Sequence, residues 1–324
     1  MGREPAHISV VISTCNRPSD VERCLHSLCM VDYPRWEIQL VDQSDDDRTR
    51  TIAESFAHAL PHLWYRHISE KGLSHARNMG METSKGEIAA FLDDDCTVDS
   101  DWLERIAHVF ARYLHTALVF GSVYAAPHDM QECFIPVYEM TSEQVLQGRR
   151  ALPNSAGMGA SMYLRRDAWQ RIGPFDELLG AGTDYFSGGD DDDYRYRCLV
   201  SGYSVVKTPS IRVQHFGARP HATGSAARLI KGYAYSAGAL DMKLLRCGEI
   251  AATMLFVIHS LYCLSRINVR NLVMRHGPTN IDWIVMYMRG LRGSFRLKVD
   301  RRHRIYIACT GRLQPAKPKE SVVG

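Results

Sequence analysis

Two acidic clusters carry the chemistry legible in this chain, Phe91-Leu92-Asp93-Asp94-Asp95 and Gly188-Gly189-Asp190-Asp191-Asp192-Asp193-Tyr194. The first follows a short apolar run, Glu87 to Leu92, so its carboxylates emerge at the carboxyl end of a strand, where open α/β sheets bind ligands. Asp93 and Asp95, at alternate positions, offer hard oxygen donors of the kind that suit Mg²⁺ or Mn²⁺. Those ions keep several waters and take one or two carboxylates together with substrate phosphates. The competing reading is a polar turn, with Asp99 to Asp101 capping the helix that carries Trp102, Leu103, Ile106 and Phe110. Capping accounts for the later acids and leaves Asp93 to Asp95 unexplained. The second cluster opens a helix, Tyr194 to Ser201, closed by Gly202, where negative charge near the amino end is itself stabilising. A third run, Asp45 to Asp47, shows that acidity alone is not the signal.

The elements that must position these clusters alternate. His7 to Ser13 reads as a strand, and Ser19 to Met30 as a helix with Val21, Leu25 and Leu28 on one face and Ser19 and Glu22 as a capping box. Glu37 to Val41, Leu63 to Ile68 and the run ending at Asp93 are further strands, and Arg48 to Leu60 and Ser74 to Met81 further helices. Val205-Val206 reads as a late strand, followed after Lys207-Thr208-Pro209 by Ile211 to His215. A parallel sheet covered by helices is the economical fold. Thr14, Asn16 and Arg17 follow the first strand and Asp42 ends the second, where an amide or carboxylate can reach a nucleobase edge or ribose, although turn chemistry uses the same residue types. The segment Gly72 to Asn78 places Ser74, helix N–H groups and Arg77 near an anion, a contact suited to a diphosphate.

Composition bounds the class. The 324 residues suffice for one large domain or two smaller ones. Nine cysteines, scattered without a C-x-x-C pair, read as buried thiols of a reducing compartment. The polar start before the first strand carries no secretory signal, and the expected location is cytosolic. The net charge of +3 hides an asymmetry: residues 226–304 hold 14 Lys and Arg against 4 Asp and Glu. The front suits metal and the back suits anions.

Several segments in register resemble family 2 glycosyltransferases of the GT-A fold. Val10 to Pro18, Arg23 to Leu28, Tyr33-Pro34 and Glu37 to Asp42 resemble that family's nucleotide-binding start. Gly72 to Gly80 resembles its Gly-Leu-Ser-x-Ala-Arg-Asn-x-Gly segment, and Phe91 to Asp95 its D-x-D-type motif. Gly159 to Met162, Arg165-Arg166, Gly173 to Glu177 and Gly189 to Tyr194 with Arg197 follow in order. The resemblance spans about residues 8 to 217. It implies an α/β fold with a Rossmann-like, mostly parallel sheet flanked by helices, and a helical C-terminal extension. It also implies inverting transfer of one sugar from a nucleotide-diphosphate donor, UDP-sugar favoured, to a hydroxyl on a glycan or lipid-linked acceptor. Asp191 aligns with the family's catalytic base, and Asp190 stands where the family usually has Glu. His215 resembles the family's late metal ligand, joining Asp93 and Asp95. Thr14, Asn16, Arg17, Asp42, Gly72, Ser74, Arg77, Asn78, Asp93 and Asp94 fall at donor-binding positions.

This chain departs from the family's pattern at Gln43, which alters the loop after Asp42, and at Ser161, where relatives often have Asn. It lacks the Gln-x-x-Arg-Trp motif of processive synthases, so a single-sugar transferase in bacterial surface polysaccharide or lipid-linked glycan assembly is expected. The sequence divides into a catalytic domain, 1–224, a basic helical extension, 225–304, and a tail, 305–324, read as disordered. Ile250 to Ser265 is too short an apolar run for a span. Trp283, Tyr287, Arg289, Arg292, Phe295, Arg296 and Lys298 suit an anionic membrane surface on the inner face of the cell membrane, or a helical cap with a solvated basic face. No nucleic acid is expected as a partner. The other readings are a polyprenyl-phosphate glycosyl synthase, and a non-enzymatic cation-binding protein with a basic membrane or nucleic-acid module.

Overall fold

The computed structural model describes residues 4–151, 157–250, 254 and 280–307. Their contacts divide the chain into two units, one of Met1–Phe175 with Asp190–Leu229, the other of Asp176–Gly189 with the described residues from Ile230 on. In chain order the first unit begins β1 (Ile8–Thr14), α1 (Pro18–Leu28), β2 (Trp36–Asp42), α2 (Arg48–Ser55), β3 (Leu63–His67), α3 (Leu73–Thr83) and β4 (Ile88–Asp93). It continues through β5 (Cys96–Val98), α4 (Trp102–Arg112), β6 (Thr116–Ala125), β7 (Cys133–Phe134), β8 (Gln144–Gln147), β9 (Ser161–Arg165) and α5 (Arg166–Ile172). After the break come α6 (Asp190–Val200), β10 (Ser204–His215) and β11 (Arg219–Pro220).

A nine-stranded sheet in the order β3-β2-β1-β4-β9-β6-β10-β5, with β8 also on β10, organises this unit. The expected mostly parallel sheet is present: β1 pairs in parallel with β2 and β4, β2 with β3, and β6 with β10. Antiparallel β9 is inserted between β4 and β6. Registers Thr14↔Asp42 and Ser13↔Asp93 bring the carboxyl ends of β1, β2 and β4 into line. Burial on both faces explains the near-continuous apolar runs, since Ile8, Val10, Val11 and Ile12 are all inaccessible or nearly so.

Three local expectations are corrected. Helix α1 starts at Pro18, whose fixed φ suits the first helical position, so Arg17 is the capping residue and no side-chain cap bond forms. Ser19 therefore lies inside the first turn and no capping box with Glu22 exists. Helix α6 begins at Asp190, not Tyr194, so all four acids are in its first turn. Finally, β10 is one strand of 12 residues, because the ladder to β6 shifts register between Thr208 and Arg212 and absorbs Pro209 there.

The second unit contains most of α7 (Ser225–Arg246), then α8 (Asn280–Phe295) and a hairpin of β12 (Lys298–Asp300) and β13 (Ile305–Ile307). Leu178, Leu179, Phe186, Ala239, Leu297 and Tyr306 form its core. Asp176 is tied there by two bonds, accepting from buried Lys243 Nζ and from Tyr306 N–H at 2.8 Å. Gly238 and Gly290 let the two helices touch backbone to backbone, since a Cβ at either would fall 2.0 or 1.9 Å from a carbonyl oxygen of the other helix. Tyr287, expected at the surface, is buried instead, its hydroxyl donating to Asp241 Oδ2 at 3.0 Å. Among the described residues no helix is long and apolar enough to cross a membrane. The segment Leu255 to Ser265 and the tail from residue 308 lie outside the described residues.

Candidate active site

The turn after β4 brings together most of the first cluster. Asp94 is buried, accepting from Thr14 Oγ1–H at 2.7 Å and from Arg17 Nη1 at 3.1 Å. Burial raises its carboxyl to about 7 against the pull of Arg17. Asp95 accepts from the same Arg17 nitrogen at 3.0 Å, and its Oδ1 lies 3.2 Å from His215 Nε2. They meet because β5, just after the turn, pairs antiparallel with the end of β10, in the register His215↔Cys96. Burial alone would raise Asp95, but the His215 hydrogen bond and charge outweigh it and hold the carboxyl below its ordinary value. The same partnership raises His215 against its burial.

His215 Nδ1 lies 2.8 Å from the Pro136 carbonyl oxygen, to which it donates. That bond keeps a proton on Nδ1, so once Nε2 gives up the proton it shares with Asp95 its lone pair is available to a metal. Gly217 supplies the room. A Cβ there would lie 2.5 Å from both Asp95 Oδ2 and His215 Nε2, so the missing side chain leaves both ligand atoms unobstructed, in a cradle that a methyl would fill. Asp95 and His215 therefore fit a cation. Cys96 Sγ completes a buried trio with them, all three ligand atoms within 4.8 Å of one another. Asp93 is not brought into this trio. Sequence reasoning missed Gly217, although a glycine two residues after the histidine was there to be read.

Asp93 is turned toward the second cluster, and Arg77 is the reason. This arginine, only 2 % exposed, reaches Asp93 Oδ1 at 3.3 Å, the Gly159 carbonyl oxygen at 3.1 Å, and Asp190 Oδ2. The ring of Phe91 lies 5.5 Å from its guanidinium and that of Phe175 5.9 Å. One buried cation thus ties the end of β4 to the start of α6. Read from sequence as a diphosphate contact, Arg77 is committed to two carboxylates.

The four acids of α6 separate by partner. Asp190 pairs with Arg77, Asp192 with Arg195 at 3.1 Å, and Asp193 with fully buried Arg197 at 3.1 Å. Asp191 has no salt bridge among the described residues. It accepts instead from main-chain N–H groups, Gly159 to Oδ2 at 2.9 Å and Asp192 to Oδ1 at 2.8 Å. Burial, then the charges of Asp190 and Asp192, raise its carboxyl to about 7. The arrangement provides a carboxylate that is ionised near neutrality yet takes a proton readily, as a general base requires.

The remaining front residues are placed less directly. Asn16 adopts φ 58° and clasps Asp45, donating from Nδ2 to Oδ2 at 2.7 Å and accepting from its N–H at 2.9 Å, and Lys71 reaches the other Asp45 oxygen at 2.8 Å. Asp42 is fully buried and already accepts from Ser44 and from Tyr65, whose hydroxyl is 2.8 Å away. It shapes the loop that follows. Beside that loop opens a cleft of about 310 Å³ lined by Ser44, Asp45, His67, Ser69 and Lys71 among others. Gln43, a departure from the expected pattern, donates to the Gly72 carbonyl at 3.2 Å and so fastens the approach to α3. Gly72 caps α3 with φ 135°, and Ser74 is buried in the first turn. Asn78 spends its amide on the Phe175 main chain, accepting at 2.7 Å and donating at 3.0 Å, and is thus a clamp rather than an anion contact.

With that geometry in view, the match of residues 9–173 to the glycosyl transferase family 2 model is decisive. The chain belongs to glycosyl transferase family 2. It is 29 % identical over 205 residues to the glycosyltransferase AglE of Haloferax volcanii, covering 61 % of this chain and 63 % of AglE. It is also 29 % identical over 223 residues to the succinoglycan biosynthesis protein ExoM of Rhizobium meliloti, covering 64 % and 66 %. The matches thus span just under two-thirds of the length of these relatives. The family 2 fold recurs in a mannosyltransferase from Pyrobaculum calidifontis solved with GDP-Man and Mn²⁺, at a TM-score of 0.59 and 15 % identity over 90 % of this chain and 87 % of that one. It recurs again in residues 1–349 of S. aureus TarS with UDP-GlcNAc, at a TM-score of 0.56 and 16 % identity over 88 % and 81 %.

Proposed function

We propose that this chain is an inverting, non-processive glycosyltransferase that moves one sugar from a nucleoside-diphosphate sugar to a hydroxyl of a glycan or lipid-linked acceptor. The observation that carries the reading is Asp191: alone among the acids of its cluster it has no salt bridge among the described residues, and its carboxyl sits near 7. Asp191 takes the acceptor proton, while Arg77 keeps Asp190 and Asp93 from competing for it. Asp95 and His215 hold a divalent cation, Mn²⁺ or Mg²⁺, which when bound offsets the charge on the departing diphosphate. The imidazole beside a carboxylate favours Mn²⁺. Thr14 keeps Asp94 in place, and the helix start at Gly72 and Ser74 faces the donor's phosphates. UDP is the favoured nucleotide, in keeping with the UDP-GlcNAc bound by the TarS structure, and the name of ExoM supports a role in polysaccharide assembly. The test is Asp191→Asn, measured by nucleoside diphosphate release from a panel of UDP- and GDP-sugars with candidate acceptors. Full activity in that variant would remove the base assignment.

A peripheral seat on the cytoplasmic face of an anionic membrane belongs to the same reading. Val285, Met288, Arg289, Arg292 and Phe295 are all exposed, and their spacing puts them along one face of α8, with exposed Arg296 just past its end. Apolar side chains interleaved with arginines suit the boundary between acyl chains and anionic headgroups.

A further inference from the structure

Arg17 and the Gly217 cradle meet at a single oxygen. Asp95 Oδ2, one of the two ligand atoms that the absent Gly217 side chain leaves clear, also accepts from Arg17 Nη1 at 3.0 Å. The same nitrogen lies 3.1 Å from Asp94 Oδ1, so one guanidinium balances two buried carboxylates. Of the three side chains only arginine's can leave, being 42 % exposed against 6 % and 5 % for the two acids. Its main chain stays fixed, because the Arg17 carbonyl accepts from Asp20 and Val21 N–H at the start of α1.

We infer that Arg17 is an exchangeable counter-ion: its guanidinium yields Asp95 to an incoming divalent cation and pairs instead with the diphosphate that accompanies it. The inference rests on the reading of Asp95 and His215 as cation ligands. Without a nucleotide, the displaced guanidinium has no new partner, so the exchange opposes cation binding. With a diphosphate present the arginine gains a new anionic partner that its planar fork can grip bidentately. Cation and nucleoside diphosphate are therefore positively coupled, each raising the affinity for the other by the same factor.

The experiment titrates Mn²⁺ into the full chain with and without UDP, reading free Mn²⁺ by electron paramagnetic resonance, for the wild type, Arg17→Gln and Arg17→Lys. Arg17→Gln is expected to bind Mn²⁺ alone ~2- to 5-fold more tightly, the size expected for a partly exposed ion pair. The enhancement by UDP, of order 5- to 150-fold for typical coupling, is expected to shrink in that variant. Arg17→Lys retains the charge and keeps the wild-type order. The sign separates exchange from damage, since a merely structural arginine would leave Arg17→Gln with weaker Mn²⁺ binding. Weaker or unchanged binding of Mn²⁺ alone in Arg17→Gln, with normal binding by the wild type, overturns the exchange and leaves the cation reading standing. Absence of Mn²⁺ binding by the wild type even with UDP overturns both.

Discussion

Replacing Asp191 by Asn tests the base assignment through two independent quantities. The amide keeps an oxygen for the Gly159 N–H, so the geometry around the 2.9 Å bond survives while the ionisable group is lost. The transfer rate is expected to fall by ~10²- to 10⁴-fold, the usual contribution of a positioned base. UDP binding in the presence of Mn²⁺ should change little, because Asp191 is not among the cation or nucleotide ligands. Stability moves the other way. The folded carboxyl titrates near 7, above its ordinary 3.8, so its ionisation works against the fold. The wild type carries no such cost below about pH 4, accumulates it as pH rises toward 7, and keeps it above. Each pKa unit corresponds to about 1.4 kcal/mol, and solvent reaching the half-buried group reduces the total to on the order of 2 kcal/mol. Asp191→Asn should therefore melt several degrees above the wild type at pH 8 and level with it at pH 4. Thermal melts across pH, alongside product formation, give both readouts. A variant that transfers sugar normally, or one whose stability deficit grows with pH, would refute the reasoning.

Further expectations concern the cation, the central arginine, pH and the membrane. Gly217→Ala puts a methyl into the cradle and should weaken Mn²⁺ affinity by ~10-fold or more while the protein stays folded, as followed by calorimetry with circular dichroism; unchanged affinity would place the cation elsewhere. Arg77→Met strands two acids that shared one buried cation and should cost about 3–5 kcal/mol in denaturant unfolding. The logarithm of kcat/KM should rise with pH along an acid limb near 7, as Asp191 loses its proton, and that limb should disappear in Asp191→Asn. The chain should co-sediment with anionic liposomes at low salt, release as salt rises, and ignore neutral ones; Arg289→Glu with Arg292→Glu should abolish the binding, and retention by neutral liposomes would argue against headgroup electrostatics.

The amino-acid sequence determined β1 to β4 and the helices between them, together with the residue types of the site, because both depend on local information. Apolar runs define β1, β2 and β4, and a carboxylate after an apolar run must sit at a strand end whatever the rest of the chain does. Helix starts were less legible, since Pro18 and Asp190 set them through backbone geometry and first-turn charge rather than through the hydrophobic pattern. Tertiary structure decided the pairings. Four consecutive aspartates look alike in sequence, and Asp191 becomes distinct only because Arg77, Arg195 and Arg197 take its neighbours. Asp93 and Asp95 read as one metal pair until the fold turns Asp93 to Arg77, and the ladder between β5 and β10 delivers His215 to Asp95. Gly217 matters only through what an absent side chain leaves open. Residue type and spacing specify what a side chain can do; the charge facing it, which here separates a base from a structural anion, comes from segments distant in the chain.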